Sequence, residues 1–135
     1  MSLGRVLVVD DEADILTSIR LILTKAGYNV VTAEDGEEGI AAIKSGDNAL
    51  MVDTIILDLY MPKVNGMEAT AYFRSQFPSV PIIILTGHPD IKGATELFKK
   101  GVVEYLVKPV EEEKLKAAVA KAVKEHVLFK DQFAT

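Results

Sequence analysis

Four apolar runs of this chain stop on residues able to do phosphoryl chemistry. Val6-Leu7-Val8-Val9 stops on Asp10, Asp11 and Glu12, and a second run carries Asp58 near its end. A third stops on Thr86 and a fourth on Lys108. Each residue has an ordinary explanation. Asp10 and Asp11 suit a helix start, where acids meet the positive end of the dipole and accept orphan backbone N–H groups. Threonine is common in strands and lysine at surfaces. Asp58 is harder to explain away, because Asp is depleted in strands. Together the residues describe one site. Oxygen-only carboxylates suit a hard cation such as Mg²⁺. Three neighbouring anions repel unless a cation offsets them. A lysine and a hydroxyl beside that cation complete a cradle for phosphoryl oxygens.

The elements that must bring these residues together are legible. Runs at 5–9, 28–33, 53–59, 81–86 and 103–107 read as strands. Three are nearly continuous Val, Ile and Leu, the pattern of parallel strands buried on both faces. Helical spacing fills the gaps at 13–26, 36–45, 66–77, 90–100 and 110–128, with Gly27 placed as a C-cap. Alternation of this kind implies right-handed crossovers and a doubly wound parallel sheet with helices on both faces. Such sheets carry their sites at the carboxyl ends of the strands, where Asp10, Asp58, Thr86 and Lys108 fall.

The totals narrow the options. The chain has 135 residues, enough for one domain with a core. Its net charge of −5 argues against nucleic-acid binding by electrostatics. It contains no cysteine, which excludes disulfides, thiolate metal sites and a Cys nucleophile. No apolar run nears the roughly 20 residues of a membrane span, and the N-terminus lacks signal-peptide organisation. A cytoplasmic protein without membrane contact is expected.

With "VVDDE", "ILDLYMPKVNGME", "IIILTGH" and "GVVEYLVKP" in this order, the chain resembles the receiver domain of bacterial response regulators across residues 4–128. "LTGH" and "YLVKP" make it most similar to nitrogen-regulator-like receivers. The resemblance implies a flavodoxin-like α/β fold, with a five-stranded parallel sheet in the order 2-1-3-4-5 and five helices. Residues 129–135 would be a tail or the start of a linker. It implies that Asp58 accepts a phosphoryl group. Asp10, Asp11, Asp58 and the Tyr60 backbone carbonyl would bind Mg²⁺, or Mn²⁺. Thr86 would be the switch hydroxyl, Lys108 the partner of the phosphoryl group, and Tyr105 the aromatic switch residue. The bond before Pro109 would be cis. The donor would be a sensor histidine kinase or a phosphotransfer protein. The output would be read on the face of helix 90–100, strand 103–107 and helix 110–128, where mixed charge suits a homodimer contact. Two positions depart from the family pattern. Val64-Asn65-Gly66 stands where Met/Leu-Asp-Gly is usual, and Val102 where Ala is usual. Asn65 can still cap the following helix.

Tyr60 and His88, each two residues beyond a site residue, either shield the phosphoryl group from water or, for His88, orient that water. Three other readings compete. An aspartyl-nucleophile phosphohydrolase would want an acid where Tyr60 stands. A flavodoxin-like cofactor binder would want a phosphate cradle where Asp10-Asp11-Glu12 would repel one. A degenerate receiver, used only for docking, would have lost some of the site.

Overall fold

Residues 2–132 are described by a computed structural model. Strands β1 (Arg5–Val9), β2 (Asn29–Ala33), β3 (Val52–Leu57), β4 (Ile82–Thr86) and β5 (Glu104–Val107) form one parallel sheet in the order β2-β1-β3-β4-β5. Helices α1 (Ala13–Lys25), α2 (Gly36–Lys44), α3 (Asn48–Met51), α4 (Gly66–Gln76), α5 (Ile91–Lys99) and α6 (Glu112–Gln132) connect and cover it.

The continuous apolar runs are sorted by the two-residue period of a strand. Leu7, Val9, Ile55, Leu57, Ile82 and Ile84 pack on one face against Ile43 of α2, Ala69 and Phe73 of α4 and Leu97 of α5. Val6, Val8, Ile56, Ile83 and Leu85 pack on the other against α1 and α6, through Leu16, Ile19, Leu23, Leu115, Val119 and Val123. Every residue of β3 and β4 is buried. Burial on both faces is why these strands show no polar alternation.

Local signals behave as expected at two helix ends. Gly27 takes φ 105° just after α1, and the N–H of Tyr28 reaches back to the Leu23 carbonyl at 3.0 Å. Only a glycine adopts that backbone cheaply. Asn65 caps α4, its side chain accepting the Glu68 N–H at 3.0 Å.

Among the described residues there are six helices rather than the expected five. The extra one, α3, is a single turn with no buried residue, so it leaves no apolar stripe to read. Several boundaries also move, most at β3 and α6. β3 ends at Leu57, so Asp58 and Leu59 lie just beyond the strand. α6 starts at Glu112 and continues to Gln132, so residues 129–132 are helical, and the rest of the segment expected as a tail or linker, 133–135, lies outside the described residues. Beyond Val123 the apolar stripe of α6 thins to the partly buried Val127, and its last turns are carried by helix-forming Lys, Glu and Leu. Among the described residues no helix is long and apolar enough to cross a membrane.

Candidate functional site

The sheet register places the site. Val9 is level with Leu57, Leu57 with Ile84, and Thr86 with Val107. The next residues along β1, β3 and β5 are Asp10, Asp58 and Lys108. The ladder continues one step past the strands, with Asp10 N–H donating to Ala33 O at 3.1 Å and Asp58 N–H to Val9 O at 3.0 Å. Both carboxylates are therefore held by strand-like backbone, not by a mobile loop. Lys108 N–H donates to the Thr86 carbonyl at 2.8 Å, tying the β4 and β5 ends together. The Lys108–Pro109 bond is cis.

Asp10 and Asp58 are 2% and 4% exposed, while Asp11 and Glu12 face solvent. Ligand oxygens of all four lie within 4.8 Å of one another. The Lys108 ammonium lies among them, 2.7 Å from Asp10 Oδ2, 3.0 Å from Glu12 Oε1 and 3.4 Å from Asp58 Oδ2. Burial pushes the Asp10 carboxyl above the ordinary range, against the pull of Lys108 and the Glu12 N–H. Burial and then the neighbouring Asp10 charge push Asp58 up as well, again against Lys108. Burial opposes the charge on Lys108, but its bonds to Asp10 and Glu12 outweigh that and hold the ammonium above its usual range. One lysine thus leaves the acids incompletely offset. Oxygen-only donors carrying unbalanced negative charge fit a hard divalent cation.

The helix-cap explanation for the acidic pair does not hold. The N-cap of α1 is Glu12, and its side chain makes no cap hydrogen bond. Asp10 accepts a single local bond, from the Glu12 N–H at 2.8 Å.

The family profile described as the response regulator receiver domain matches residues 6–120. The chain belongs to the response regulator receiver family. Among its relatives is the transcriptional regulatory protein GlrR of Escherichia coli, 38% identical over 122 residues, covering 90% of this chain and 27% of that protein. Another is the alginate biosynthesis transcriptional regulatory protein AlgB of Pseudomonas aeruginosa, 36% identical over 118 residues, covering 87% of this chain and 25% of that one. This receiver thus spans about a quarter of the length of these relatives. Of solved structures, a receiver domain protein from Clostridium thermocellum superposes with a TM-score of 0.82 at 34% identity, covering 96% of this chain and 98% of that one. NtrX from Brucella abortus gives 0.86 at 26% identity, covering 97% of this chain and 29% of that one. Both the regulators and NtrX are consistent with a nitrogen-regulator-like receiver.

Around the receiver's acidic centre, Tyr60 N–H donates to Asp58 Oδ1 at 3.3 Å and His88 N–H to Thr86 Oγ1 at 3.1 Å. The two rings meet edge to face, with centroids 5.1 Å apart. Tyr60 and His88 therefore join the β3 and β4 ends above the strands. Thr86 itself is fully buried. Tyr105, level with Ile84 in β5, is half-buried, and its hydroxyl accepts the Asp90 N–H at 3.3 Å. It shares a cleft of about 500 Å³ with Asp11, Tyr60, Met61 and Asp90. Gly66 opens α4 directly under this loop. A Cβ there would collide with the Asp58 carbonyl oxygen and Leu59 Cα.

Glu12 is the site residue missed from sequence. It belongs to the same acidic run as Asp10 and Asp11, so the signal was present. What sequence does not supply is that Lys108 would reach across to it.

Proposed function

We propose that Asp58 is the phosphoacceptor of this receiver and that Asp10, Asp11, Asp58 and the Tyr60 backbone carbonyl hold Mg²⁺, or Mn²⁺. The observation that carries this is the Lys108 ammonium bridging Asp10 and Asp58 among four converging carboxylates. When bound, the metal supplies charge neutralisation and orientation for in-line phosphoryl transfer. The Asp58 carboxylate oxygen attacks phosphorus, and an acyl phosphate forms on Asp58. Lys108 and Thr86 stabilise the equatorial phosphoryl oxygens. The donor is a phosphohistidine on a sensor histidine kinase or phosphotransfer protein, whose P–N bond breaks as the Asp58 O–P bond forms, releasing the donor's imidazole. Incubation with a small phosphodonor tests the reaction: uptake that needs a divalent cation and stops in chelator is expected, and uptake indifferent to chelator would overturn the metal's part.

Asp11 is exposed and Asp10 is already engaged by Lys108 at 2.7 Å. Asp11 is therefore the acid most free to ligate directly. Asp11→Ala should weaken Mg²⁺ affinity about tenfold or more, since it removes a charged oxygen ligand of a hard cation. Titration by calorimetry checks this, and unchanged affinity would remove Asp11 from the ligand set.

The Tyr60–His88 ring pair favours shielding of the acyl phosphate over orientation of a hydrolytic water. Each ring is propped by the other, so either truncation opens the same gap. Tyr60→Ala and His88→Ala should both shorten the lifetime of the phosphorylated receiver several-fold. Slower decay in His88→Ala would assign it the water-orienting role instead.

The change is read out on the face of α5, β5 and α6. Tyr105 ties β5 to the start of α5 through Asp90. Ile91 and Phe98 of α5 and Val107 of β5 are exposed on these elements, between charged residues such as Lys92 and Lys99. A two-fold contact of this mixed kind should strengthen on phosphorylation and weaken with salt. Sedimentation with and without a phosphoryl mimic should show association that responds to Tyr105→Ala and to charge reversal at Lys99. Identical association in all samples would move the output face elsewhere.

A phosphohydrolase is the second reading. It is disfavoured by Tyr60, whose ring lies against His88 where such an enzyme would place a general acid.

A further inference from the structure

Strand β3 has a buried carboxylate at each end. Asp58 belongs to the site above. Asp53, near the opposite end, is 4% exposed and takes no part in it. Its Oδ1 lies 2.9 Å from His126 Nδ1 and 2.8 Å from Lys130 Nζ, and its Oδ2 accepts the Arg5 N–H at 3.2 Å. Burial opposes ionisation of Asp53, but the bonds from His126, Lys130 and the Arg5 N–H outweigh it and hold the carboxyl below its ordinary range. A Cβ on Gly4 would press on both the Asp53 carboxylate and Val123 of α6, so the start of β1 seals the group from above.

His126 and Lys130 are four residues apart on α6 and share one of its faces. They mark a change in how the helix is attached. From Leu115 to Val123 the side chains of α6 that meet the sheet are buried and apolar. Beyond Val123 the buried residue is His126, and Val127 packs only partly buried at the edge of the cluster. Clefts of about 270 and 290 Å³ flank this segment, one lined by His126 and Glu125 and the other by Asp53 and Val127. The Lys130 side chain is 38% exposed. The first half of α6 is thus fixed by hydrophobic burial, and the second by Val127 at the cluster's edge and by two polar side chains, His126 and Lys130, converging on one carboxylate with solvent close on both sides.

We propose that residues 124–132 of α6 form a releasable arm latched by Asp53 through His126 and Lys130. Elements held by few buried apolar contacts open locally at lower free energy than the core they border. A carboxylate latch makes that opening discrete. Either the Lys130 ammonium and the His126 ring of the arm engage Asp53, or a buried charge is left uncompensated and must hydrate. Latched, α6 runs unbroken for 21 residues, about 32 Å, and leaves the sheet in one fixed direction. Unlatched, it pivots near Lys124. The residue that sets the direction of α6 is therefore in β3, five positions before Asp58 and at the end of the strand remote from the phosphoryl chemistry.

Hydrogen exchange of the full chain, read by mass spectrometry on the backbone amides, tests the latch without any phosphorylation step. In Asp53→Asn, amides 124–132 should exchange about tenfold faster, with 115–123 and the strands unchanged. Lys130→Gln, at a partly exposed position, should give a smaller acceleration confined to the same amides. It decides the matter if Asp53→Asn fails to fold. Unchanged exchange at 124–132 would overturn the proposal. So would equal acceleration across all of α6 and β3, because Asp53 would then be a support of the whole core rather than a local latch.

Discussion

Lys108→Met should lower the rate of phosphoryl uptake from a small donor by about 100-fold or more, the scale of losing one preorganised charge at a transition state. The same change should tighten Mg²⁺ binding. The Lys108 ammonium sits 2.7 Å from Asp10 and 3.4 Å from Asp58, on oxygens that a metal would also use. Removing it frees those oxygens and leaves the acids uncompensated. Without metal the variant should lose stability, because breaking a buried charge pair costs roughly 3–5 kcal/mol. Added Mg²⁺ should restore much of that loss, since a ligand that binds only the folded chain stabilises it by mass action. Uptake kinetics, metal titration and thermal unfolding in chelator and in Mg²⁺ check the three parts. Uptake within tenfold of wild type would contradict the role given to Lys108.

Asp58→Asn should abolish uptake and at the same time make the metal-free protein more stable at neutral pH. Asp10 and Asp58 both have carboxyls raised above 3.8. A raised carboxyl keeps its proton in the folded chain at pH values where the unfolded chain has already lost it. Its contribution to stability is therefore fully present at or below 3.8 and is lost as pH rises through the folded value. Asparagine removes one such group and relieves the repulsion on the other. In chelator, wild-type stability should fall as pH climbs above about 4, and Asp58→Asn should fall less, ending the more stable of the two. Urea unfolding across that range measures it. Parallel curves for the two proteins would mean that the carboxylates are not strained against each other.

Much of this was legible in the residues. The parallel sheet followed from apolar runs too continuous for one-sided burial, and α1, α2, α4 and α5 from apolar spacing, helped by Gly27 after α1 and Asn65 before α4. The core of the site followed because Asp10, Asp58 and Lys108 are each the next residue after a strand, and parallel register puts such residues on one rim. What escaped was whatever periodicity does not record. α3 buries nothing and so has no stripe. The end of α6 is carried by helix-forming residues and the His126 and Lys130 contacts rather than by apolar spacing. The Glu12 contact and the Asp53 cluster depend on which polar side chain reaches which acid across distant segments. Lys108 and Glu12 are 96 residues apart, and His126 and Asp53 are 73 apart.

The central claim, that Asp58 takes the phosphoryl group, is tested most directly by locating it. Wild type and Asp58→Asn are incubated with a small phosphodonor and Mg²⁺, their intact masses compared, and the modified chain mapped by peptide. A single phosphoryl group on the peptide bearing Asp58, absent in chelator and absent from Asp58→Asn, is the predicted result. Undiminished uptake by Asp58→Asn, or a phosphoryl group mapped to any other residue, would contradict it.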